Sequence, residues 1–252
     1  MSDTWPLGVA RHVLARADST NAEALRLAPG LTGPAWVMTR EQFAGRGRRG
    51  RDWVMPAGNF AGTLVMRPQG GAMAAAQLSF VAALALYDAL GDACGPSVRL
   101  AIKWPNDVLL NGGKVAGILL ESAGTGGQVQ AVAVGIGVNL AAAPQADAVE
   151  PGAMRPVSVL GETGHAVDPE EFLDLLAPAF ARWQAQIETH GFAPIRHAWL
   201  ARAARLGEII IARTGRSESQ GVFEGIDDSG ALLLRTPAGR QAIPAADVYF
   251  GG

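Results

Sequence analysis

Basic side chains are concentrated in one short stretch of the sequence, EQFAGRGRRGRDW at residues 41–53. Its four arginines outweigh Glu41 and Asp52, so the stretch carries a charge of +2 in a chain whose total is −2. Each guanidinium offers a planar fork of donors that suits phosphate or carboxylate, and glycines let the backbone approach a ligand closely. Residues 41–53 are therefore predicted to form a flexible loop that grips an anion, and residues 45–53 of it are called the arginine loop below.

The spacing of Gly45, Gly47 and Gly50 also satisfies the G-x-G-x-x-G pattern of nucleotide-binding loops. A dinucleotide-binding loop needs a helix directly after it, and the following RDWVMP starts a helix poorly. A protein-kinase loop needs valine where Asp52 stands. Both interpretations fail on context, which leaves anion binding and, as the alternative, a solvated basic loop.

A second group of polar side chains lies in the motif KWPND, which begins at Lys103 and is followed by GGKVAGI, containing Lys114. Pro105 restricts the residue before it to an extended conformation and favours a turn. Asn106 and Asp107 are then presented at the mouth of a sheet, where two lysines, an amide and a carboxylate converge. The alternative for Asn106 and Asp107 is a plain turn.

The third motif is GIGVNL at residues 135–140. Glycines in a strand leave room for a flat ligand, and the side chain of Asn139 can both donate and accept, as the edge of adenine requires. Alone this pattern is equally typical of a strand bulge.

Periodicity and turn residues predict an α+β fold in which strands cluster instead of alternating with helices. Thr20 and Glu23 have the spacing of a capping box at the start of the first helix, which Pro29 and Gly30 close. An Ala/Pro loop is expected at 141–156. The other predicted helices are 73–93, 169–188 and 194–205, and the predicted strands are 9–17, 35–40, 59–67, 98–103, 108–110, 114–120 and 129–139.

The texture of the sequence changes after Leu206. Short strand-like runs at 207–213, 221–225, 231–235, 240–243 and 248–250 are separated by turn residues. We therefore expect two domains, residues 1–205 with the three motifs and residues 206–252 as a small β-barrel.

Composition excludes several classes of protein. With 49% hydrophobic and 17% charged residues the chain is globular, and a net charge of −2 leaves no footprint for wrapping nucleic acid or coating an anionic membrane. A single cysteine, Cys94, excludes a disulfide framework and a multi-cysteine metal site. The N-terminus does not read as a signal peptide, and the apolar run at 72–87 is predicted to be a buried helix. A cytoplasmic protein without a membrane partner is expected.

Taken in order, DSTN, GRGRRGRDW, KWPNDVLL, GGKVAGILLE and GIGVNL resemble the motifs of the biotin-protein ligases, between Asp18 and Leu140. The β-rich tail is similar to the small SH3-like C-terminal domain of that family. The resemblance implies the mixed sheet with packed helices shared by class II aminoacyl-tRNA synthetases and biotin ligases. Only seventeen residues precede Asp18, so a ligase-only type without a DNA-binding winged helix is expected.

The resemblance also implies a two-step reaction. Biotin and ATP with Mg²⁺ give biotinyl-5′-adenylate and pyrophosphate, and biotin then passes to one lysine of the biotin carrier domain of a carboxylase. That carrier domain is the expected partner, DNA is not, and whether a homodimer forms through the central sheet stays open. No residue is assigned as a metal ligand.

Three overlapping sets of residues follow from the resemblance. The expected biotin contacts are Ser19, Thr20, Asn21, Gln42, Arg46, Gly47, Arg48 and Lys114. The expected ATP contacts are Arg48, Arg51, Trp53, Lys103, Asn106, Lys114 and Asn139, with Trp53 covering the adenine and Asn139 reading it. The expected catalytic residues are Lys114, Arg48 and Asp107.

For Asp107 the hypothesis is that it orients or deprotonates the acceptor lysine. Asp107→Asn should then slow transfer far more than adenylate formation, and equal losses in both half-reactions would contradict that role.

Two other functions remain as alternatives. A lipoate ligase or octanoyltransferase shares the fold and the transfer of an acyl group to a carrier lysine, although its glycine-rich signature differs. A nucleic-acid binding module using the arginine loop and Trp53 would show salt-dependent binding without ATP turnover.

Overall fold

The structure is a computed structural model that describes residues 5–125, 128–145, 152–215 and 217–250. The helices are α1 (Thr20–Leu27), α2 (Gly71–Cys94), α3 (Val159–Thr163), α4 (Pro169–His190) and α5 (Phe192–Leu200). The strands are β1 (Ala10–Ala17), β2 (Ala35–Gln42), β3 (Phe60–Met66), β4 (Leu100–Lys103), β5 (Asp107–Leu110), β6 (Gly113–Thr125), β7 (Gln128–Val138), β8 (Ile209–Arg213), β9 (Glu218–Ile226), β10 (Leu232–Thr236), β11 (Gly239–Ile243) and β12 (Asp247–Phe250).

The strands form two sheets. The first has seven strands in the order β1-β2-β3-β7-β6-β5-β4, in which β1 and β2 pair parallel and the other neighbours pair antiparallel. The second has five antiparallel strands in the order β11-β10-β9-β8-β12. The predicted α+β class, with clustered strands and a β-rich tail, is confirmed.

The two faces of the first sheet are covered differently, and the alternation of β7 shows how. Its even-numbered residues, such as Val134 and Ile136, join the main core beneath α2 and α4. On the opposite face, the odd-numbered Ala131 and Ala133 pack in a smaller cluster against α1. Because side chains alternate along a strand, Gly135 and Gly137 continue that second face. The face therefore loses its side chains towards one end of the strand, and a space opens there.

Helix α2 is long and apolar enough, by length and composition alone, to cross a membrane, with a mean hydropathy of 1.5. In the fold, 61% of that apolar stretch is buried, and the helix packs on α4 and on the first sheet. Its leucines and alanines are thus explained by core packing, as the sequence predicted for this buried helix.

Three local predictions need correction. The N-cap of α1 is Ser19, whose hydroxyl accepts from the Ala22 N–H, so the helix begins one residue earlier than a capping box at Thr20 would place it. Helix α5 ends at Leu200 and not at 205, because the following backbone turns to exchange hydrogen bonds with Ile102 of β4. The short helix α3 falls within no predicted element. Part of the predicted 141–156 loop, residues 146–151, lies outside the described residues.

The second sheet docks beside the KWPND motif. The Trp104 indole N–H donates to the Gly230 carbonyl oxygen over 3.0 Å, in a buried position. Arg196 of α5 donates through Nε to the Ile226 carbonyl oxygen over 2.7 Å. The end of β9 and the turn after it are therefore held against α5 and the KWPND motif.

Candidate active site

A cavity of about 470 Å³ opens at the glycine end of β7. Its walls come from the start of α1, the arginine loop, the KWPND turn, strands β6 and β7, and the first residues of β12. A larger cavity, of about 710 Å³, lies elsewhere and contains none of the motif residues. The predicted site residues that line the first cavity are Ser19, Thr20, Asn21, Gln42, Arg46, Gly47, Arg48, Arg51, Trp53, Lys103, Asn106, Asp107, Lys114 and Asn139.

The N-terminus of α1 forms one end of the cavity. Ser19 and Thr20 are nearly fully buried, and the Gln42 side-chain oxygen accepts from both the backbone N–H and the hydroxyl of Thr20. That contact ties the end of β2 to the first turn of the helix. This end of the cavity is therefore polar, with hydrogen-bond donors and acceptors held in fixed positions.

Asn21 lies beside Gly135, where a Cβ would come within 2.2 Å of the Asn21 side-chain oxygen. The amide nitrogen donates to Glu121 over 2.8 Å and to the Leu119 carbonyl over 3.2 Å, and the oxygen accepts from Thr63 over 2.7 Å. The glycine is thus required by the position of Asn21. Both hydrogens of this amide are already donated within the protein.

The centre of the cavity holds one carboxylate between two ammonium groups. Asp107 Oδ1 lies 2.7 Å from Lys114 Nζ, and Asp107 Oδ2 lies 3.5 Å from Lys103 Nζ. Lys103 and Asp107 are direct partners across β4 and β5, and a bulge after Val108 brings Lys114 of β6 to the same carboxylate. The cluster has a net charge of +1 and faces the cavity, so it suits an anionic ligand.

The pKa values of this cluster follow from burial and charge together. Burial alone would raise the pKa of the Asp107 carboxyl, but the ammonium groups of Lys114 and Lys103 outweigh it and hold that pKa below its usual range. Burial lowers the pKa of Lys103, and the charge of Asp107 only partly opposes the shift. Asp107 is therefore a poor proton acceptor while both lysines stay in place.

Trp53 fills the space beside the second glycine of β7. A Cβ on Gly137 would lie 2.5 Å from the indole Cε2, and one on Gly117 of β6 would lie 3.2 Å from Cζ3. The Lys114 ammonium sits over the same ring, 5.8 Å from its centroid. The flat group that the glycines accommodate in this structure is therefore the indole itself, so room for an additional flat ligand must lie on its other side.

Asn106 and Asn139 line the cavity but bond within the protein. Asn106 donates to the Ile118 carbonyl over 2.6 Å, and Asn139 donates to the Val157 carbonyl over 3.0 Å. Their direct contact with a nucleotide stays a prediction. In this structure both amides shape the wall.

Glu41 and Gln42 of the predicted loop belong to β2, and the arginine loop forms a closed turn whose predicted flexibility stays a prediction. An antiparallel bridge between Arg46 and Asp52 closes it, a 3₁₀ turn crosses its tip, and Arg49 takes a left-handed conformation with φ of 57°. Burial lowers the pKa of the Arg48 guanidinium although Asp247 opposes this shift. Arg46 pairs with Glu121 over 3.1 Å.

The motifs do not include Thr63 or Asp247, and Glu121, the last residue of GGKVAGILLE, was given no role from the sequence. Thr63 and Glu121 hold Asn21, and Asp247 of the second sheet faces the arginine loop. Thr63 pairs with Gly135 and Glu121 pairs with Ala133, which places both on the site face of the first sheet. For Asp247 the sequence carries no signal, because its contacts join opposite ends of the chain.

Across the described part of the chain, no group of three His, Cys, Asp or Glu side chains could hold a metal ion. Asp107, the acidic residue at the centre, contacts two lysines. That the protein supplies no metal ligand stays a prediction.

The fold and the cavity together define a class of protein. It is an α+β protein in which a seven-stranded mixed sheet presents a basic, anion-binding cavity that a second, smaller sheet helps to close. The sequence model of the Biotin/lipoate A/B protein ligase family matches residues 13–139, and that of the Biotin protein ligase C terminal domain matches residues 206–251. The chain belongs to the biotin/lipoate A/B protein ligase family.

Individual relatives agree with this placement. The chain is 85% identical over 240 residues to the biotin--[acetyl-CoA-carboxylase] ligase of Paracoccus denitrificans, covering 95% of this chain and all (100%) of that protein. It is 33% identical over 224 residues to the bifunctional ligase/repressor BirA of Escherichia coli, covering 88% of this chain and 68% of that protein. A solved structure of the Aquifex aeolicus biotin protein ligase, in complex with biotin and ATP, has the same fold, with a TM-score of 0.78 at 24% identity over 95% of this chain and 97% of that one.

Proposed function

We propose that this protein is an ATP-dependent biotin-protein ligase, which forms biotinyl-5′-adenylate and transfers biotin to a lysine of a carboxylase's biotin carrier domain. The observation that carries the proposal is the gathering of the motif residues around one cavity, with the Lys114, Asp107 and Lys103 cluster at its centre. Membership of the family and the similarity to the Paracoccus ligase support the choice of biotin.

The first step joins two anions, and the charges of the cavity suit it. The carboxylate oxygen of biotin attacks the α-phosphorus of ATP, an O–P bond forms, and the bond to the bridging oxygen breaks to release pyrophosphate. Lys114 and Arg48 offset the repulsion between the carboxylate and the α-phosphate, and Lys103 adds charge on the nucleotide side. This role needs the ammonium of Lys114 held in place, which its 2.7 Å contact with Asp107 provides.

In the second step the amine of the acceptor lysine attacks the acyl carbon, an amide forms and AMP leaves. The sequence suggests that Asp107 orients or deprotonates the acceptor lysine, but its ion pairs and lowered pKa favour a different role, in which it holds two lysines of the site itself. We propose that Asp107 positions Lys114 and Lys103, and through them the adenylate, for both steps.

The two ends of the cavity suit the two substrates. We assign the biotin ring to the polar end formed by Ser19, Thr20, Asn21 and Gln42, and the nucleotide to the end near Arg51, Trp53 and Asn139. We also propose that the chain divides at residues 205 and 206 into a catalytic domain and an SH3-like domain. We also propose a reducing, cytoplasmic location, which suits a chain with a single cysteine, Cys94.

The test is substrate-dependent exchange between ATP and labelled pyrophosphate. Biotin should support exchange, and lipoate or octanoate should not. Exchange that depends on lipoate would instead assign the protein to the lipoate branch of the same family.

A further inference from the structure

Asp247 is a carboxylate of the second sheet that faces the arginine loop. It opens β12, and its side chain is 16% exposed. Arg48 Nη1 lies 3.4 Å from its Oδ1, and Arg49 Nη1 and Arg51 Nη2 lie 2.8 and 2.5 Å from its Oδ2. One carboxylate thus forms ion pairs with three guanidinium groups.

The same edge of the second sheet also contacts the loop through carbonyl oxygens. Arg48 Nη1 lies 3.2 Å from the Ala246 carbonyl, and Arg49 Nη2 lies 3.3 Å from the carbonyl of Arg213, the residue paired with Asp247 across β8 and β12. The tip of the loop is therefore anchored at one small area of the second sheet, with Asp247 at its centre.

This anchor lies inside the ligand cavity, because Asp247, Arg48 and Arg51 all line it. The guanidinium donors that bond a carboxylate are the ones that phosphate oxygens also use. A triphosphate carries several negative charges where Asp247 carries one, and three neighbouring cations attract it more strongly. A nucleotide entering the cavity therefore competes with Asp247 for the same arginines.

We propose that Asp247 is a positioning residue that occupies the phosphate-binding arginines before ATP arrives. It holds the arginine loop against the second sheet, and the triphosphate then takes over Arg48 and Arg51. The second half of this inference rests on the proposed function, while the anchoring of the loop does not.

Limited trypsin digestion of the full protein without nucleotide tests the anchoring, because trypsin cuts after the arginines of the loop. Asp247→Asn should raise the rate of cleavage at residues 46–51 at least fivefold, and Asp247→Glu should largely restore protection. Glu224→Gln is the matched control, since Glu224 pairs with Arg235 and Arg240 in the same sheet, away from the cavity. Arg49→Gln removes one partner and one of the four cleavage sites without altering the sheet, so cleavage after Arg46, Arg48 and Arg51 should rise, to a smaller degree. Unchanged cleavage in both Asp247→Asn and Arg49→Gln would overturn the proposal.

Calorimetric binding of inorganic triphosphate and of MgATP tests the exchange. If Asp247 competes with phosphate, Asp247→Asn should bind triphosphate several-fold more tightly than the wild type does, with Glu224→Gln unchanged. If Asp247 only maintained the structure, its replacement would weaken triphosphate binding. Weaker or equal binding by Asp247→Asn would therefore overturn the proposal that triphosphate displaces Asp247 from the arginines. Inorganic triphosphate separates the two failures, because a protein that did not use biotin would fail the pyrophosphate exchange assay yet still show the triphosphate effect.

Discussion

At the scale of single residues, the account depends on charges that are held in place by other charges. Lys114 reaches the cavity because Asp107 holds it, and Asp107 stays ionised because two lysines surround it. These three residues could be predicted from the motifs, because all of them lie in KWPND and GGKVAGI, within one short stretch of sequence. Their mutual contacts could not be predicted, because they depend on a bulge in the pairing of β5 with β6.

Lys114→Gln should reduce the rate of adenylate formation by roughly 10²- to 10³-fold, a size typical of losing one preorganised group that stabilises charge in a transition state. Pyrophosphate release in a single turnover measures it. Arg99→Gln, which changes an exposed basic residue outside the cavity, is the control and should behave as the wild type. A loss of less than about threefold would remove Lys114 from the proposed chemistry.

Asp107→Asn separates positioning from proton removal. Because Asp107 holds Lys114 as well as Lys103, we expect both half-reactions to slow by similar factors. Single-turnover assays of adenylate formation, and of transfer from preformed biotinyl-5′-adenylate, measure the two losses separately, with exposed Asp92→Asn as the control. A loss confined to transfer would instead support Asp107 as the base, contrary to the positioning role.

At the scale of elements, strand β7 divides the cavity through two glycines on one face. A side chain at Gly135 would strike Asn21 at the end proposed for biotin, and one at Gly137 would strike Trp53 at the end proposed for the nucleotide. The glycines were predicted to leave room for a flat ligand, but the groups that fill that room belong to α1 and to the arginine loop. These contacts join segments that are far apart in the chain, so no local sequence pattern predicts them.

The two glycines therefore predict a matched pair of variants. Gly135→Ala should raise the KM for biotin by about tenfold or more, with little change in the KM for ATP. Gly137→Ala should raise the KM for ATP by a similar factor, with little change in the KM for biotin. Each variant is the control for the other, because the same methyl group is added to the same strand two residues apart. Steady-state kinetics with each substrate varied in turn provides the measurement; parallel losses in both constants would contradict the assignment of the two ends.

Helix α1 and its N-cap, which together carry three of the proposed biotin contacts, begin next to a pH-sensitive contact. The side chain of Arg26 and the backbone N–H of Ser19 lower the pKa of Asp18 to about 2. A lowered carboxyl pKa contributes stability that is complete above the unfolded value of about 4 and is lost as the pH falls towards 2. Because this ion pair is largely exposed, solvent screens it and its contribution to stability is small.

Urea unfolding of the wild type and of Asp18→Asn at several pH values tests this contact. The difference in free energy of unfolding between the two proteins should be constant from pH 7 to about pH 5 and should shrink below about pH 4. A difference that grows as the pH falls would contradict the depressed pKa of Asp18.

At the scale of the whole molecule, the second sheet completes the cavity. It supplies Asp247 to the arginine loop, and its Gly230 carbonyl accepts from Trp104, the residue next to Lys103. From the sequence, the tail was predictable as a set of short strands. Which of its residues reach the site was not, because the contacts join residues more than a hundred positions apart and depend on how the two sheets dock.

Trp104→Phe should weaken this docking by removing a buried hydrogen bond, at a cost of about 1 to 2 kcal/mol in the free energy of unfolding. Trp199→Phe is the control, since Trp199 is fully buried and its indole nitrogen has no hydrogen-bond partner among the described residues. Both variants lose a similar ring volume, so the difference between them in urea unfolding reports the bond to Gly230. Equal destabilisation would mean that this bond contributes nothing measurable.

The central claim is that the whole molecule couples ATP cleavage to biotin transfer, and one measurement tests it most directly. The purified protein is incubated with MgATP, biotin and a carboxylase's biotin carrier domain, and the intact mass of the carrier is measured. We predict a mass increase of a single biotinyl group on one lysine, dependent on ATP and absent when lipoate replaces biotin. An unmodified carrier under conditions where a known ligase biotinylates it, or a lipoylated one, would contradict the account.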